Sequence, residues 1–268
     1  MVETVERLRI QELLEKGFSL QAQGNPEDAI ACFDQVIRAD PGHAVAYLRR
    51  GIAQSSLGRH ELAIKDYTEA IRLSPGLVAA YTNRGNSLYA LGQHELAIRD
   101  YSEAIQLNSE FAPAYNNRGN AYRLLGRYEL AIRDFDDAIR LNPREGTAYN
   151  GRGMTHLVLG LHELAIEDCS EAIRLNPSFA APYNNRGNAY RALGQHDLAI
   201  RDYEEATKLD PKDEGACYNL ASTLEHMDTQ KALRVWGRYL QIAKIPAAGK
   251  GWIQNVFKIK KNPQNTVS

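Results

Sequence analysis

The chain has 268 residues, of which 44% are apolar and 24% charged, so it can bury a core and lies outside the composition range of disordered chains. Its 32 Lys and Arg against 33 Asp and Glu give a net charge of -1, whereas general nucleic-acid binders carry a basic excess. Its 3 cysteines are too few and too far apart for a disulfide framework or a zinc knuckle. No apolar run reaches the roughly 18 residues that cross a bilayer, and the first residues lack the apolar region of a signal peptide. We therefore expect a cytoplasmic protein with no nucleic acid as a partner and no transmembrane span.

The sequence repeats with a period of 34 residues. When it is written in rows of that length, more than half of its 20 glycines fall into two columns, which excludes chance. The first glycine column holds Gly17, Gly51, Gly85, Gly119, Gly153 and Gly187, and the second holds Gly24, Gly58, Gly92, Gly126, Gly160 and Gly194. An aromatic column holds Tyr47, Tyr81, Tyr115, Tyr149 and Tyr183, and an alanine column holds Ala29, Ala63, Ala97, Ala131, Ala165 and Ala199.

Each row predicts two amphipathic helices. In the fourth row, apolar residues follow helical spacing over 114–126 and again over 128–143. Gly126 lies where the first helix must end, a position that favours a left-handed backbone, and Pro143 prevents the second helix from continuing. Gly119 lies in mid-helix, where glycine costs roughly 1 kcal/mol against alanine. It therefore predicts that the two helices pack closely at this point.

A helix–turn–helix unit with this period resembles the tetratricopeptide repeat (TPR) family. Six full repeats span 10–43, 44–77, 78–111, 112–145, 146–179 and 180–213, and a degenerate seventh spans 214–245. We therefore predict a solenoid over 1–245 and a basic tail over 246–268. The resemblance implies an all-α fold, a right-handed TPR superhelix (α-solenoid) of about seven helix–turn–helix repeats plus a C-terminal capping helix. It also implies that the first helix of each repeat lines the concave side.

In this family the residues after the aromatic column, and those one and two turns further on, face the concave groove. Here many of these positions hold asparagine, although asparagine is a mediocre helix former. An asparagine amide offers both donors and an acceptor, so a row of them can bond the backbone of an extended peptide. Four of them resemble the asparagine ladder of the O-linked N-acetylglucosamine transferase family: Asn83, Asn117, Asn185 and Asn219. Arg49 and Gly151 interrupt that ladder.

Repeats four and six carry nearly the same groove residues, and repeat five differs. Its Met154 and Leu157 predict an apolar pocket, whereas Arg123 and Arg191 predict a preference for acidic residues. The predicted peptide-binding residues are Asn83, Asn86, Asn116, Asn117, Asn120, Arg123, Asn150, Met154, Leu157, Asn184, Asn185, Asn188, Arg191 and Asn219. The alternative is structural: the asparagines cap turns or bond neighbouring repeats, and Met154 and Leu157 pack against the next repeat.

Two further sets of columns, one of arginines and aspartates and one of histidines, indicate structural roles. An arginine column on the first helices faces an aspartate column on the second helices, which predicts a salt bridge within each hairpin. The arginines are Arg50, Arg84, Arg118, Arg152 and Arg186, and the aspartates are Asp66, Asp100, Asp134, Asp168 and Asp202. The histidine column, His60, His94, His162 and His196, is spaced too widely to share a metal. No motif of a nucleophile elbow, zinc protease, phosphate loop or dinucleotide fold occurs, so we expect no enzyme, no cofactor and no metal site.

The residues after Pro246 no longer follow the repeat pattern. Its apolar residues fall on one side of a short helix, among lysines: Trp252, Ile253, Val256 and Phe257. Three interpretations stay open, namely a helix that caps the last repeat, a basic helix that binds a membrane surface or a partner, and a disordered end.

The leading functional hypothesis is a non-catalytic interaction scaffold that binds an extended segment of another protein in the concave groove. That segment would carry an apolar anchor flanked by polar or acidic residues. The alternative is a self-assembling structural protein, in which a terminal segment docks into the groove of a neighbouring copy.

Overall fold

The computed structural model describes residues 2–225 and 227–243, and side chains from residue 6 onward. This part of the chain forms fourteen α-helices and no strand. The helices are α1 (Val2–Ala22), α2 (Pro26–Ala39), α3 (Ala44–Ser56), α4 (His60–Leu73), α5 (Val78–Ala90), α6 (His94–Leu107), α7 (Ala112–Leu124), α8 (Tyr128–Leu141), α9 (Gly146–Val158), α10 (His162–Leu175), α11 (Ala180–Ala192), α12 (His196–Leu209), α13 (Glu214–Leu224) and α14 (Thr229–Ile242). The predicted all-α class and the helix–turn–helix repeats are confirmed.

A glycine with a left-handed backbone ends the first helix of each of the six full repeats. In the fourth repeat Gly126 has φ 71°, its N–H donates to Arg123 O at 3.1 Å, and the N–H of Arg127 donates to Tyr122 O at 2.9 Å. Only glycine adopts such a φ without strain, and these bonds satisfy carbonyls that the helix end leaves free. The chain therefore reverses within three residues, and the two helices pack as a hairpin.

The mid-helix glycines allow an aromatic ring of the second helix to lie against the backbone of the first. A Cβ placed on Gly51 would lie 2.6 Å from Cε1 of Tyr67, and one on Gly85 would lie 2.7 Å from Cε1 of Tyr101. Both rings are about 1% exposed. Gly153 is different, because Cys169 stands in the aromatic column and its Sγ lies 3.0 Å from the added Cβ. The predicted close approach of the two helices is confirmed, and the partner of the glycine is the ring.

Each hairpin of repeats two to six also holds one arginine–aspartate pair. In the fourth hairpin Nε and Nη2 of Arg118 donate to the two carboxylate oxygens of Asp134 at 2.7 and 2.8 Å. The guanidinium also lies over the ring of Tyr115, 5.7 Å from its centroid. The other pairs are Arg50–Asp66, Arg84–Asp100, Arg152–Asp168 and Arg186–Asp202. The predicted salt bridges are confirmed, and each joins the two helices of its hairpin, including repeat five, where Cys169 replaces the ring.

The chain divides into two units, Met1–Pro143 and Arg144–Ser268. In the first unit three second helices also pack on the first helix that follows them, α2 on α3, α4 on α5 and α6 on α7. In the second unit α10 packs on α11 and α12 on α13 in the same way. Consecutive first helices touch within each unit, as α5 and α7 do in the first and α9 and α11 in the second. Each unit therefore presents a surface made by its own first helices.

The degenerate seventh repeat is still a hairpin, α13 with α14. Trp236 takes the place of the aromatic ring, is 2% exposed and packs with Tyr203, Leu220 and Leu224. Ala221 replaces the mid-helix glycine and is fully buried. The predicted capping helix, and the boundary at residue 245, lie outside the described residues and stay predictions.

We expect Gly85→Ala to lower the free energy of unfolding by about 1–3 kcal/mol, although alanine is the better helix former. The new methyl would meet the buried Tyr101 ring, and the ring or a helix must shift. Gly237→Ala is the matched control, because a Cβ there meets nothing within 4 Å, and it should stabilise the protein by roughly 1 kcal/mol. Urea unfolding followed by circular dichroism measures both. Equal effects of the two substitutions would contradict the packing role of Gly85.

Candidate functional site

The predicted peptide-binding residues all lie on first helices of hairpins. In the first unit α5 carries two of them and α7 four: Asn83, Asn86, Asn116, Asn117, Asn120 and Arg123. In the second unit α9 carries three, α11 four and α13 one: Asn150, Met154, Leu157, Asn184, Asn185, Asn188, Arg191 and Asn219. Most are half-buried, but Asn86 is exposed and Asn185 is buried, with 5% of its surface accessible.

In the first unit an asparagine on one hairpin bonds an asparagine on the next. Nδ2 of Asn117 donates to Oδ1 of Asn86 at 2.9 Å, and the hydroxyl of Tyr101 donates to the same oxygen at 2.8 Å. The Asn86 amide therefore joins α5, α6 and α7. Its orientation is set, and its oxygen already accepts two bonds.

The second unit repeats this arrangement. Nδ2 of Asn185 donates to Oδ1 of Asn150 at 2.9 Å, and Nδ2 of Asn219 donates to Oδ1 of Asn184 at 3.0 Å. The hydroxyl of Tyr203 donates to Oδ1 of Asn188 at 2.9 Å. Part of the asparagine row thus holds neighbouring repeats together, which supports the structural interpretation for these residues. Each donating amide keeps a second N–H.

Two other asparagines of the first unit donate to backbone carbonyl oxygens of their own helix. Nδ2 of Asn83 donates to Ala79 O at 2.8 Å, and Nδ2 of Asn120 donates to Asn116 O at 3.0 Å. These bonds hold no neighbouring hairpin. Their removal should therefore leave the stacking of the repeats intact.

A recess of about 320 Å³ opens beside these amides in the first unit. Five residues of α5, α6 and α7 line it: Asn86, Tyr89, Tyr101, Asn117 and Asn120. Arg123 lies one turn beyond Asn120, and its Nη2 is 3.5 Å from Oδ1 of Asn120. Burial lowers the pKa of Arg123, and its Nε is buried without a hydrogen-bond partner. We call these six residues the Arg123 recess.

The second unit has a different recess at the corresponding helix. It measures about 250 Å³ and is lined by Arg191, His196, Ser222, Thr223 and Met227. Here Nη1 of Arg191 donates to the hydroxyl of Ser222 at 3.4 Å. Met154 and Leu157 are half-buried on α9. Their predicted place between two asparagine and arginine sets involves residues of both units and stays a prediction.

Repeat five contains a buried histidine, His156, that the repeat pattern did not predict. Nδ1 of His156 lies 3.0 Å from Oδ2 of Asp168, the carboxylate that also pairs with Arg152. Other repeats place Leu88 or Tyr190 at this position of the first helix, and Cys169 stands in the aromatic column. Both departures from the pattern fall in repeat five. Their coincidence in one hairpin was the sequence signal that could have indicated the contact between His156 and Asp168.

The buried thiol of repeat five has a packing role. Burial raises the pKa of the Cys169 thiol to about 12, so the thiol is protonated at neutral pH and a poor nucleophile. Among residues 2–225 and 227–243 no group of three or more His, Cys, Asp or Glu side chains is placed to hold a metal ion. In the same part of the chain, no helix combines the length and apolar character that crossing a membrane requires.

Comparison with protein-family models identifies repeats along the chain. Models described as TPR repeat or tetratricopeptide repeat match residues 14–78, 85–126, 112–145, 147–179 and 180–213. Together they cover more than half of the chain. The chain belongs to the tetratricopeptide repeat family.

Solved structures support this TPR fold, and no curated protein matches the sequence. A tetratricopeptide repeat protein from Parabacteroides merdae is 21% identical over 95% of this chain and 100% of that one, with a TM-score of 0.72. The protein MamA is 26% identical over 63% of this chain and 92% of that one, with a TM-score of 0.55. YrrB, described as a TPR protein with an unusual peptide-binding site, is 21% identical over 69% of this chain and 96% of that one, with a TM-score of 0.55. At 21% identity the likeness concerns the fold alone.

We expect Asn86→Ala to lower the free energy of unfolding by about 1–2 kcal/mol, because it removes an oxygen that accepts from both Tyr101 and Asn117. Asn83→Ala is the matched control on the same helix. Its amide bonds only Ala79 O, so the change should be neutral or slightly stabilising. Urea unfolding of the two variants beside the wild type measures the difference. If Asn83→Ala costs as much as Asn86→Ala, the bond between repeats is not the cause.

Proposed function

We propose that this TPR protein is a non-catalytic interaction scaffold whose first helices bind an extended segment of another protein. The observation that supports the proposal is that hydrogen bonds between hairpins orient several asparagine amides and still leave each of them an N–H to donate. Asn117, Asn185 and Asn219 are held by bonds between hairpins and each keeps a second N–H. A donor that is already oriented loses little freedom on binding, which favours affinity.

Asn83 and Asn120 supply groups that the stacking does not use. Their bonds stay within α5 and α7, and their Oδ1 atoms can accept the N–H groups of a peptide. Each such exchange contributes about 0.5–1.5 kcal/mol net, so a bound segment needs several of them. An extended segment meets this condition because its backbone presents an N–H and a C=O at every residue.

Side chains of the segment would give specificity. In the second unit the half-buried Met154 and Leu157 offer apolar surface to an anchor residue of the partner. In the first unit Arg123 favours acidic side chains, and in the second unit Arg191 does so. The proposed partner is therefore a protein segment with an apolar residue and acidic neighbours.

A displayed library of random 12-residue peptides tests this proposal. We expect the wild-type chain to select peptides, and the double variant Asn83→Ala, Asn120→Ala to bind them about tenfold more weakly, because two backbone contacts are lost. The matched control is Gln106→Ala, Ser109→Ala, which changes two exposed polar residues at the end of α6 and in the turn after it. Fluorescence anisotropy with a selected peptide measures the dissociation constants.

The results decide between the two functional hypotheses. Selected peptides that bind the double variant and the wild type equally would contradict the assigned role of Asn83 and Asn120. A library that yields no peptide, together with a mass in sedimentation that rises with concentration, would replace the scaffold by the self-assembling protein. Removal of residues 246–268 should then restore the monomer mass.

A further inference from the structure

Arg123 differs from the paired arginine on the same helix. Five residues earlier, Arg118 donates to both carboxylate oxygens of Asp134 and also to the hydroxyl of Ser102 at 2.9 Å. The one hydrogen bond of Arg123 within the described part of the chain is the 3.5 Å contact with Asn120 Oδ1, at the limit of a hydrogen bond. Its Nε is buried and bonds nothing.

Among the described residues no carboxylate forms an ion pair with Arg123. The groups that act on it electrostatically are the phenols of Tyr89 and Tyr128, and neither is a carboxylate. Burial lowers the pKa of Arg123, but a guanidinium stays protonated at neutral pH. A half-buried charge with no carboxylate beside it and only one long hydrogen bond is costly, and an anion placed beside it lowers that cost.

The recess beside Arg123 has the size and the lining for one polar side chain. Its volume of about 320 Å³ lies at the lower end of ligand pockets, which excludes a large cofactor. The wall is made of amides and phenols, and no carboxylate lines it. Asn117 and Asn120 each keep one amide N–H after their bonds within the protein, and both can donate to an anion.

We propose that the Arg123 recess is the subsite for a single Asp or Glu side chain of the bound protein segment. Arg123 would donate to the carboxylate as a charge-assisted pair, and the amides of Asn117 and Asn120 would position it. This inference rests on the proposed function, and it assigns the acidic preference to one place in the first unit. Tyr89 forms the wall of the recess against which the stem of the acidic side chain would lie.

The sequence does not distinguish Arg123 from Arg191, since both follow the same pattern of asparagines. The two arginines differ in their surroundings, because residues of α13 contact Arg191. Ser222 accepts a hydrogen bond from Arg191, and Thr223 and Met227 line that recess, so its surroundings are less polar. The Nε of Arg123 is buried without a hydrogen-bond partner, and the Nε of Arg191 is not.

The test is a double-mutant cycle between Arg123 and the acidic residue of a peptide selected from the library. We expect selected peptides to be enriched in Asp or Glu at one position. Arg123→Gln should weaken such a peptide about tenfold, because a charge-assisted bond is lost. It should have little effect on the same peptide with Gln in place of the acid. The matched control is Arg99→Gln, which removes an exposed arginine from α6.

Two results would overturn the inference and leave the proposed function standing. One is a set of selected peptides without an acidic preference, and the other is an equal loss with Arg123→Gln for the acidic and the Gln peptides. A library that yields no peptide would overturn the proposed function and this inference with it. We expect Arg123→Gln to melt no lower than the wild type, since the change breaks no short hydrogen bond.

A second measurement needs no variant and covers the case in which Arg123→Gln fails to fold. The Nε–H resonances of the wild-type chain are followed by NMR during titration with N-acetylglutamate methylamide, N-acetylglutamine methylamide or inorganic phosphate. We expect the glutamate compound alone to shift the Arg123 signal. A shift with phosphate and not with glutamate, or an equal shift with glutamate and glutamine, would overturn the carboxylate subsite.

Discussion

The structure depends on one contact, in which an aromatic ring of the second helix lies against a bare glycine of the first. Gly51 with Tyr67 and Gly119 with Phe135 are two instances. The absence of a Cβ lets the two backbones approach by the depth of a methyl group, and the buried ring then fills the gap with apolar surface. In the same hairpin Arg118 reaches Asp134 with two parallel bonds. The salt bridge adds a polar contact to this packing, and it also forms in repeat five, where Cys169 replaces the ring.

The asparagine row shows how the same residues can serve both stacking and binding. Asn86 accepts from Tyr101 and from Asn117, and this joins three helices through one amide oxygen. Asn83 and Asn120 belong to the same row, but their amides bond their own helices. The repeats are therefore held by some members of the row, while others remain available on the same surface. A surface fixed in this way is preorganised, because the stacking bonds already determine the side-chain orientations.

Repeat five shows how a departure from the pattern is compensated within one hairpin. Cys169 is smaller than the ring it replaces, and His156 brings an imidazole to a position that holds Leu88 in repeat three and Tyr190 in repeat six. The imidazole lies beside Asp168, so that carboxylate accepts from both Arg152 and His156 when the ring nitrogen carries its proton. A buried carboxylate with two partners is better satisfied than one with a single partner. The loss of one aromatic contact is thus accompanied by an additional polar contact.

The amino-acid sequence by itself determined the hairpins, their turns and their internal salt bridges. Gly126 had to adopt a positive φ, Gly119 had to mark a close approach of the two helices, and Arg118 had to face Asp134, because these outcomes depend on local backbone preferences and on a constant spacing within one repeat. Only the tertiary structure decided which asparagines are bonded to a neighbouring hairpin, that the Nε of Arg123 is buried without a hydrogen-bond partner, and that Arg191 donates to Ser222. The bonds between hairpins join side chains about 30 positions apart within one unit, such as Asn86 with Asn117 and Arg191 with Ser222. Side chains so far apart in the sequence meet only when the hairpins stack, so the repeat pattern alone does not reveal these bonds.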